Sequence, residues 1–239
     1  MTNQEILTRI RAAFEREPRV HVHRNHIRMD FSEGTLVIEG EVDEIAAKQR
    51  ALELARDVGA RDIDDRLRLT RGEPVEDGAL RDAVVAALLD EPTLRNCAIR
   101  AWIKGKEETM RETQPESGGA LHVFVEDGVV TLEGQVLSLS HKRLAGVLAW
   151  WVPGCRDVAN RLAVTPPEED NDDEITDAVR LVLEKDHLLP ADQISVSTKD
   201  RVVTLSGLVF REAERKQADS DTWYVDRVRD VVNRVEVRQ

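Results

Sequence analysis

The sequence predicts an α+β protein of three tandem αββαβ units, each with two helices packed on one face of a three-stranded mixed sheet. Three observations predict this fold. A short strand pattern that ends on glycine occurs three times, a hairpin pattern surrounds each copy, and helical patterns flank each hairpin. Such self-similarity is typical of chains that repeat one small fold.

The recurring strand pattern reads GTLVIEGEV, GVVTLEGQV and RVVTLSGLV in its three copies. Apolar and polar residues alternate in each copy, and the alternation continues upstream of a short polar break. Period-two alternation on both sides of a polar break is typical of a β-hairpin. We therefore predict one hairpin in each unit.

The last glycine of the pattern occupies a strand position whose neighbours on the same face are apolar. These glycines are Gly40, Gly134 and Gly207. Because glycine has no side chain, it permits another element to approach the sheet closely. We interpret the three as structural glycines over which a helix packs, with a β-bulge or a left-handed backbone as the alternative.

Amphipathic helices are predicted before and after each hairpin. The upstream helices carry apolar residues at i, i+4 and i+8, which form one stripe. These residues are Ile6, Ile10 and Phe14, then Leu80, Val84 and Leu88, then Ile175, Val179 and Leu183. The downstream helices share a small residue and a basic neighbour at helical spacing. A closing strand follows in each unit, written IDDRLRL, VANRLAV and VVNRVEV.

Two polar joins divide the chain into units 1–71, 72–166 and 167–239. A unit of about 70 residues is near the lower limit for an independent core. The second unit is longer because it contains an insertion near residues 100–119. This segment is polar and bounded by glycine, so we predict a mobile surface loop there.

Charge and composition exclude several classes of function. The formal net charge is −12, and nucleic-acid binding requires clustered basic residues, so we expect no nucleic-acid partner. No stretch approaches the about 20 apolar residues of a transmembrane segment, and the start of the chain lacks a secretory signal pattern. The two cysteines fit a reducing compartment. We therefore expect a cytoplasmic protein that needs no cofactor.

The hairpin and closing-strand patterns together resemble the BON domain, named after bacterial osmotic-shock and nodulation proteins. GVVTLEGQV with VANRLAV, and RVVTLSGLV with VVNRVEV, carry the resemblance, which covers nearly the whole chain in three copies. The first unit departs from it, since Asp65 stands where the others have Asn160 and Asn233. The resemblance implies a non-enzymatic module that attaches to phospholipid or to envelope proteins. It also implies a link to potassium, because some cytoplasmic family members sense that ion.

Three tryptophans are candidate contacts for a protein partner or a phospholipid surface. Trp150 and Trp151 end the second helix of unit two in an almost uncharged run, and Trp223 aligns with Trp150 in unit three. Tryptophan suits such interfaces because its ring is apolar and its N–H is polar. The alternative is that one ring caps a small core and another packs against a neighbouring unit.

No catalytic constellation is recognisable in the sequence, which has no nucleophile elbow, phosphate loop or zinc signature. The run HVHRNH brings His21, His23 and His26 together, and alternating histidines on a strand suit a transition metal. No cysteine or second histidine group completes such a site, and the neighbouring arginines oppose it. We therefore predict no metal and interpret the run as a solvated connector.

The hypothesis from sequence is a non-enzymatic binding or scaffold protein of three BON-like modules, related to stress, that associates with phospholipid or a protein partner. The alternative is a sensor of a potassium-type cation or a small ligand, because oxygen ligands in clefts between units suit hard cations. A third hypothesis is an enzyme whose site lies in the insertion of unit two.

Overall fold

The computed structural model describes residues 2–20, 26–70, 75–113 and 118–238. The chain divides into two compact units, Met1–Thr70 and Arg71–Gln239. The first unit holds the first repeat, and the second unit holds the second and third repeats together. The α+β class and the tandem arrangement of sheets are therefore confirmed.

The first repeat has the predicted αββαβ order. Its elements are α1 (Asn3–Arg16), β1 (Arg28–Ser32), β2 (Thr35–Val42), α2 (Ile45–Val58) and β3 (Ile63–Leu69). Strand β2 lies in the centre of the sheet, antiparallel to β1 and parallel to β3. Side chains that alternate along the strands meet the apolar helix stripe in a core that includes Ile10, Phe14, Ile38 and Leu67.

The second repeat forms a larger sheet of six strands. Its elements are α3 (Asp77–Asp90), β4 (Ala98–Ile103), β5 (Lys106–Arg111), β6 (Gly119–Glu126), β7 (Val129–Val136), α4 (Leu139–Trp151), β8 (Asp157–Asn160) and β9 (Ala163–Val164). The strand order is β5-β4-β6-β7-β8, and β9 also pairs with β7. The αββαβ repeat is therefore present here, with its closing strand divided between β8 and β9 and with two added strands.

The insertion near 100–119 differs from the predicted loop, since much of it belongs to the hairpin β4–β5. Strand β4 pairs in parallel with β6, and β5 pairs antiparallel with β4. The intervening turn has positive φ at Lys104 and Gly105, 49° and 78°, as a two-residue hairpin turn requires. Ile99 and Ala101 are buried, whereas β5 is largely exposed. Because β5 is polar throughout most of its length, its sequence lacks the alternation by which strands are recognised.

The third repeat again has a three-stranded mixed sheet. Its elements are α5 (Asp172–Lys185), β10 (Ile194–Lys199), β11 (Val202–Val209), α6 (Glu212–Tyr224) and β12 (Asp230–Val237). Strand β11 is central, antiparallel to β10 and parallel to β12. Helix α4 of the second repeat packs against both α5 and α6. Helices therefore join the second and third repeats within Arg71–Gln239.

The repeated glycines serve backbone geometry, so the interpretation that a helix packs over them is wrong. Gly40, Gly134 and Gly207 have φ of +142°, +112° and +137°, values that favour glycine. A Cβ atom on Gly40 would lie 2.5 Å from the carbonyl oxygen of His26, and Cβ atoms on the other two would meet the carbonyl oxygens of Ala120 and Gln193 in the same way. Gly134 and Gly207 are also exposed. The left-handed alternative is the one the structure supports.

Candidate functional site

The predicted tryptophans lie at the ends of α4 and α6, and two of them are buried. Trp150 is 5% exposed and Trp223 is fully enclosed. The ring of Trp150 stacks on Tyr224 of the third repeat, with 5.7 Å between the ring centroids. Neither ring is available to a lipid surface or a partner in this structure, so packing within the unit is their observed role.

Trp151 is half-buried and borders a cleft of about 490 Å³. The cleft lies between the end of α5 and one side of α6, and its walls include Asp186, His187, Leu188, Gln217 and Tyr224. Of the three predicted tryptophans, Trp151 is the one that lines an open space. No sequence pattern indicates this cleft, because its walls come from helices that are distant along the chain.

Asp221 lies behind the cleft and is completely buried. Its Oδ1 atom accepts hydrogen bonds from Trp151 Nε1 at 2.9 Å and from Gln217 Nε2 at 3.1 Å. Burial and then the neighbouring Asp186 carboxyl raise the pKa of Asp221 to about 8, although the bonds from Trp151 and Gln217 lower it. A buried carboxyl with such a shift marks a candidate site of proton binding.

A buried ion pair also crosses from the second repeat to the third. Lys185 Nζ lies 2.7 Å from Glu91 Oε1, and only 6% of the Glu91 side chain is exposed. Burial opposes ionisation of Glu91, but the bonds from Lys185 and from the Thr93 backbone hold its pKa below the ordinary value. Lys185 and Trp151 therefore link the two repeats on either side of the cleft.

A second candidate site is the outer surface of the six-stranded sheet. Trp102 of β4 is 45% exposed and lies beside Phe124 of β6, with ring centroids 5.7 Å apart. Charged and polar side chains adjoin the rings: His122 Nδ1 lies 2.6 Å from Glu107 Oε1, and Arg100 lies 3.9 Å from Glu107. We call these five residues the aromatic face.

The aromatic face depends on the inserted hairpin and was not selected from the sequence. Arg100 and Trp102 belong to β4 and Glu107 to β5, so three of its members exist only in this repeat. The signal that could have found it is the spacing of Arg100 and Trp102, which places both on one side of a strand. An aromatic side chain on the outer side of a strand is a candidate for binding.

The asparagines of the closing-strand pattern fasten that strand to the preceding helix. Asn160 Nδ2 donates to the carbonyl oxygen of Lys142 at 2.7 Å, and Asn233 Nδ2 donates to that of Arg215 at 2.9 Å. In both repeats the amide oxygen accepts a backbone N–H from two residues downstream. The pattern V-x-N-R is therefore a structural requirement and carries no ligand-binding chemistry of its own.

In the first repeat, an ion pair replaces the hydrogen bond that the asparagine amide donates in the other two repeats. Asp65 cannot donate a hydrogen bond when ionised, and its Oδ2 instead lies 2.8 Å from Lys48 Nζ. The Lys48 ammonium also donates to the carbonyl oxygen of Leu67 at 2.7 Å, and its side chain is buried. The replacement of asparagine by Asp65 thus has a partner within its own repeat.

Metal binding and membrane insertion can be assessed for the described part of the chain. Within it, no three His, Cys, Asp or Glu side chains come together as metal ligands. His21 and His23 lie outside the described residues, so the HVHRNH prediction is not tested there. None of the described helices is both long and apolar enough to span a bilayer.

Comparison with solved structures gives only distant similarity. The chain is 14% identical to the C-terminal domain of CdsD, the structural protein of the type III secretion system of Chlamydia trachomatis, with a TM-score of 0.26 and full coverage of both chains. A second CdsD structure gives a TM-score of 0.25, with 98% of this chain and 92% of that chain covered. Scores of this size carry no argument about fold or function.

Comparison at the level of sequence is more informative. The chain is 28% identical over 168 residues to osmotically-inducible protein Y of Escherichia coli (strain K12), with 68% of this chain and 73% of that protein covered. The BON domain pattern matches three segments, 2–71, 109–166 and 171–239. The three segments contain the three repeated sheets and account for most of the chain, which therefore belongs to the BON domain family.

Proposed function

We propose that the chain is a non-enzymatic binding or scaffold protein that engages a protein partner during osmotic or related stress. Its modules are the three repeats at 1–71, 72–166 and 167–239. Membership of the BON domain family and the similarity to osmotically-inducible protein Y support a stress-related role. The observation that carries the binding role is the aromatic face, where Trp102 and Phe124 lie together on the outside of a sheet.

The chemistry of the aromatic face favours a protein partner over phospholipid. Exposed tryptophan surrounded by polar side chains is typical of energetically important positions in protein interfaces. Arg100 and Glu107 place both signs of charge beside the rings, which suits complementary charges on a partner. The net charge of −12 opposes adsorption to anionic lipid. Phospholipid is therefore the competing outcome of the test.

Affinity capture with the full chain tests this proposal. Lysates of osmotically stressed and unstressed cells are compared for wild-type bait, the double variant Trp102→Ser/Phe124→Ser and the control Phe210→Ser. Phe210 is 54% exposed and lies in the third repeat, so its replacement removes an exposed ring elsewhere. We expect a stress-dependent partner that the double variant captures at least tenfold less and the control captures normally.

Two results would contradict the protein-partner proposal. Equal capture by the double variant and wild type would show that the aromatic face is not the contact. Co-sedimentation with phosphatidylcholine or phosphatidylglycerol vesicles that requires Trp102 would assign the face to phospholipid. Circular dichroism of each variant establishes that its fold is retained.

A second candidate function is the sensing of a potassium-type cation or a small ligand at the Trp151 cleft. The cleft offers the Asp186 carboxylate and the Ser220 hydroxyl as oxygen ligands beside the rings of Trp151 and Tyr224. Thermal unfolding in KCl and in NaCl at equal ionic strength tests the cation. A potassium-selective rise in melting temperature that is lost in Asp186→Ala supports this function, and identical curves oppose it.

We also propose that the protein acts in the cytoplasm. Cys97 and Cys155 are both buried and form no disulfide, which is compatible with a reducing compartment. Fractionation of cells that express the natural gene product tests this location. Recovery of the protein outside the cytoplasmic fraction would contradict it.

A further inference from the structure

We propose that Asp186 and Asp221 share one proton near neutral pH and that this proton stabilises the contact between the second and third repeats through Trp151. Asp186 caps the end of α5, and Asp221 lies in the last turn of α6. Trp151 is the last residue of α4 in the second repeat. The proton is therefore placed where three helices of Arg71–Gln239 meet.

The hydrogen bonds of Asp221 leave one of its oxygens without a donor. Oδ1 accepts from Trp151 and Gln217, whereas Oδ2 is enclosed and has no hydrogen-bond partner. Asp186 faces Asp221, but two ionised carboxylates provide only acceptors. A proton on one of them supplies the missing donor and removes the cost of a buried, unsatisfied oxygen.

Electrostatics favours the same protonation. Burial, followed by the Asp186 carboxyl, raises the pKa of Asp221 to about 8, so the pair retains a proton at neutral pH. Both carboxyl groups also lie at C-terminal ends of helices, where the helix dipole disfavours negative charge. Removal of the proton would place two negative charges side by side in a poorly solvated position.

The other charged groups around the pair do not neutralise it. Lys185 precedes Asp186 on α5, but its ammonium is bound to Glu91 at 2.7 Å. His187 is exposed on the other side of Asp186. Tyr224 of α6 and the uncharged indole of Trp151 of α4 also line the cleft. Among the described residues, no cationic side chain contributes to the pKa of Asp221, so a shared proton is left to neutralise one of the two carboxylates.

The space around Asp221 Oδ2 suits a proton and not a metal ion. Oδ2 of Asp221 is enclosed, and a hard cation requires several oxygen ligands around it. No group of three metal-ligating side chains occurs among residues 2–20, 26–70, 75–113 and 118–238. A proton needs only the two facing oxygens.

The sign of the pH dependence follows from the two pKa values. An aspartate in an unfolded chain has a pKa near 4, whereas the pKa of Asp221 in the folded chain is about 8. Between these values the folded unit binds one more proton than the unfolded chain. Its stability therefore falls as pH rises from about 4 to about 8, and this contribution levels off above pH 8.

Urea unfolding of the full chain between pH 5 and pH 9 tests the proposal, with Asp221→Asn compared with Asp192→Asn. Asp192 is an exposed carboxylate of the same repeat, so this control makes the same replacement away from the pair. Both variants are made in a His187→Gln background, because histidine also titrates between pH 5 and 8. In the control, we expect the urea concentration at the unfolding midpoint to decrease as the pH rises toward 8. In Asp221→Asn, we expect this urea concentration to stay the same over that pH range.

Carbon-13 NMR of the carboxyl groups provides a second measurement that does not require Asp221→Asn to fold. We expect the Asp221 signal to titrate near pH 8 in the wild type and at a lower pH in Asp186→Asn, because the neighbouring carboxyl is replaced by an amide that can donate to Asp221 while the burial remains. The Trp151 indole N–H signal should shift over the same pH range. Titration of wild-type Asp221 near pH 4, or parallel pH profiles for Asp221→Asn and Asp192→Asn, would overturn the proposal.

Discussion

The side-chain amide of Asn233 is a small feature on which the third repeat depends. It donates to the carbonyl oxygen of Arg215 and accepts from the backbone of Val235, so one side chain joins α6 to β12. An aspartate retains the acceptor and loses the donor, as Asp65 illustrates in the first repeat. There the Lys48 side chain compensates, which explains how an apparent departure from the family pattern is tolerated.

We predict that Asn233→Ala lowers the stability of the unit by about 1–3 kcal/mol, because the two hydrogen bonds that join the end strand to α6 and fix the β12 backbone are lost. The control is Arg234→Ala, the exposed neighbour, which should change stability by less than about 0.5 kcal/mol. Urea unfolding followed by circular dichroism measures both. Equal effects of the two replacements would show that the amide does not fasten the strand.

The hairpin β4–β5 converts a repeated three-stranded sheet into the widest sheet of the chain. Arg111, at the end of β5, donates to the carbonyl oxygens of Leu89, Leu94 and Cys97. One guanidinium group therefore connects the added hairpin to the end of α3 and the turn that follows it. The position of Trp102 on the aromatic face depends on this connection.

We predict that Arg111→Met loosens the hairpin and lowers stability by about 2 kcal/mol, since three hydrogen bonds from a charged donor are removed. Hydrogen exchange of the β4 and β5 amides is the direct measurement. Relative to wild type, we expect Arg111→Met to accelerate exchange in β4 and β5 more than in β7. Lys106→Met, at the exposed other end of β5, is the matched control. Unchanged exchange in Arg111→Met would mean that strand pairing alone holds the hairpin.

Periodicity made the repeated elements predictable, because each buries one face of a strand or one stripe of a helix. Ile38 and Phe14 are identifiable as core residues from spacing alone. The polar strand β5 buries too little to produce such a pattern. The positive φ of Gly207 is set by the carbonyl oxygen of Gln193, which no local sequence pattern reveals. The raised pKa of Asp221 likewise depends on a neighbour 35 positions away, so it required the structure.

Across the unit Arg71–Gln239, the second and third repeats make contacts that a string of independent domains would lack. Trp150 stacks on Tyr224, Lys185 binds Glu91, and the buried guanidinium of Arg143 lies 2.5 Å from Asp170 in the join between the repeats. The sequence boundary at 166 therefore separates two homologous segments that share one compact unit. Small repeats of this size gain stability from such neighbours.

We predict that the fragment 72–239 unfolds in a single calorimetric transition, whereas the separate fragments 72–166 and 167–239 melt at least roughly 10 °C lower. The contacts between the repeats are lost in the separate fragments, and a loss of 2 kcal/mol or more corresponds to a shift of about that size in a small domain. Mixing the two fragments at high concentration should restore part of the difference, because the same surfaces can then associate. Separate fragments that melt at the temperature of 72–239 would show that each repeat is stable alone and that the contacts between them contribute little.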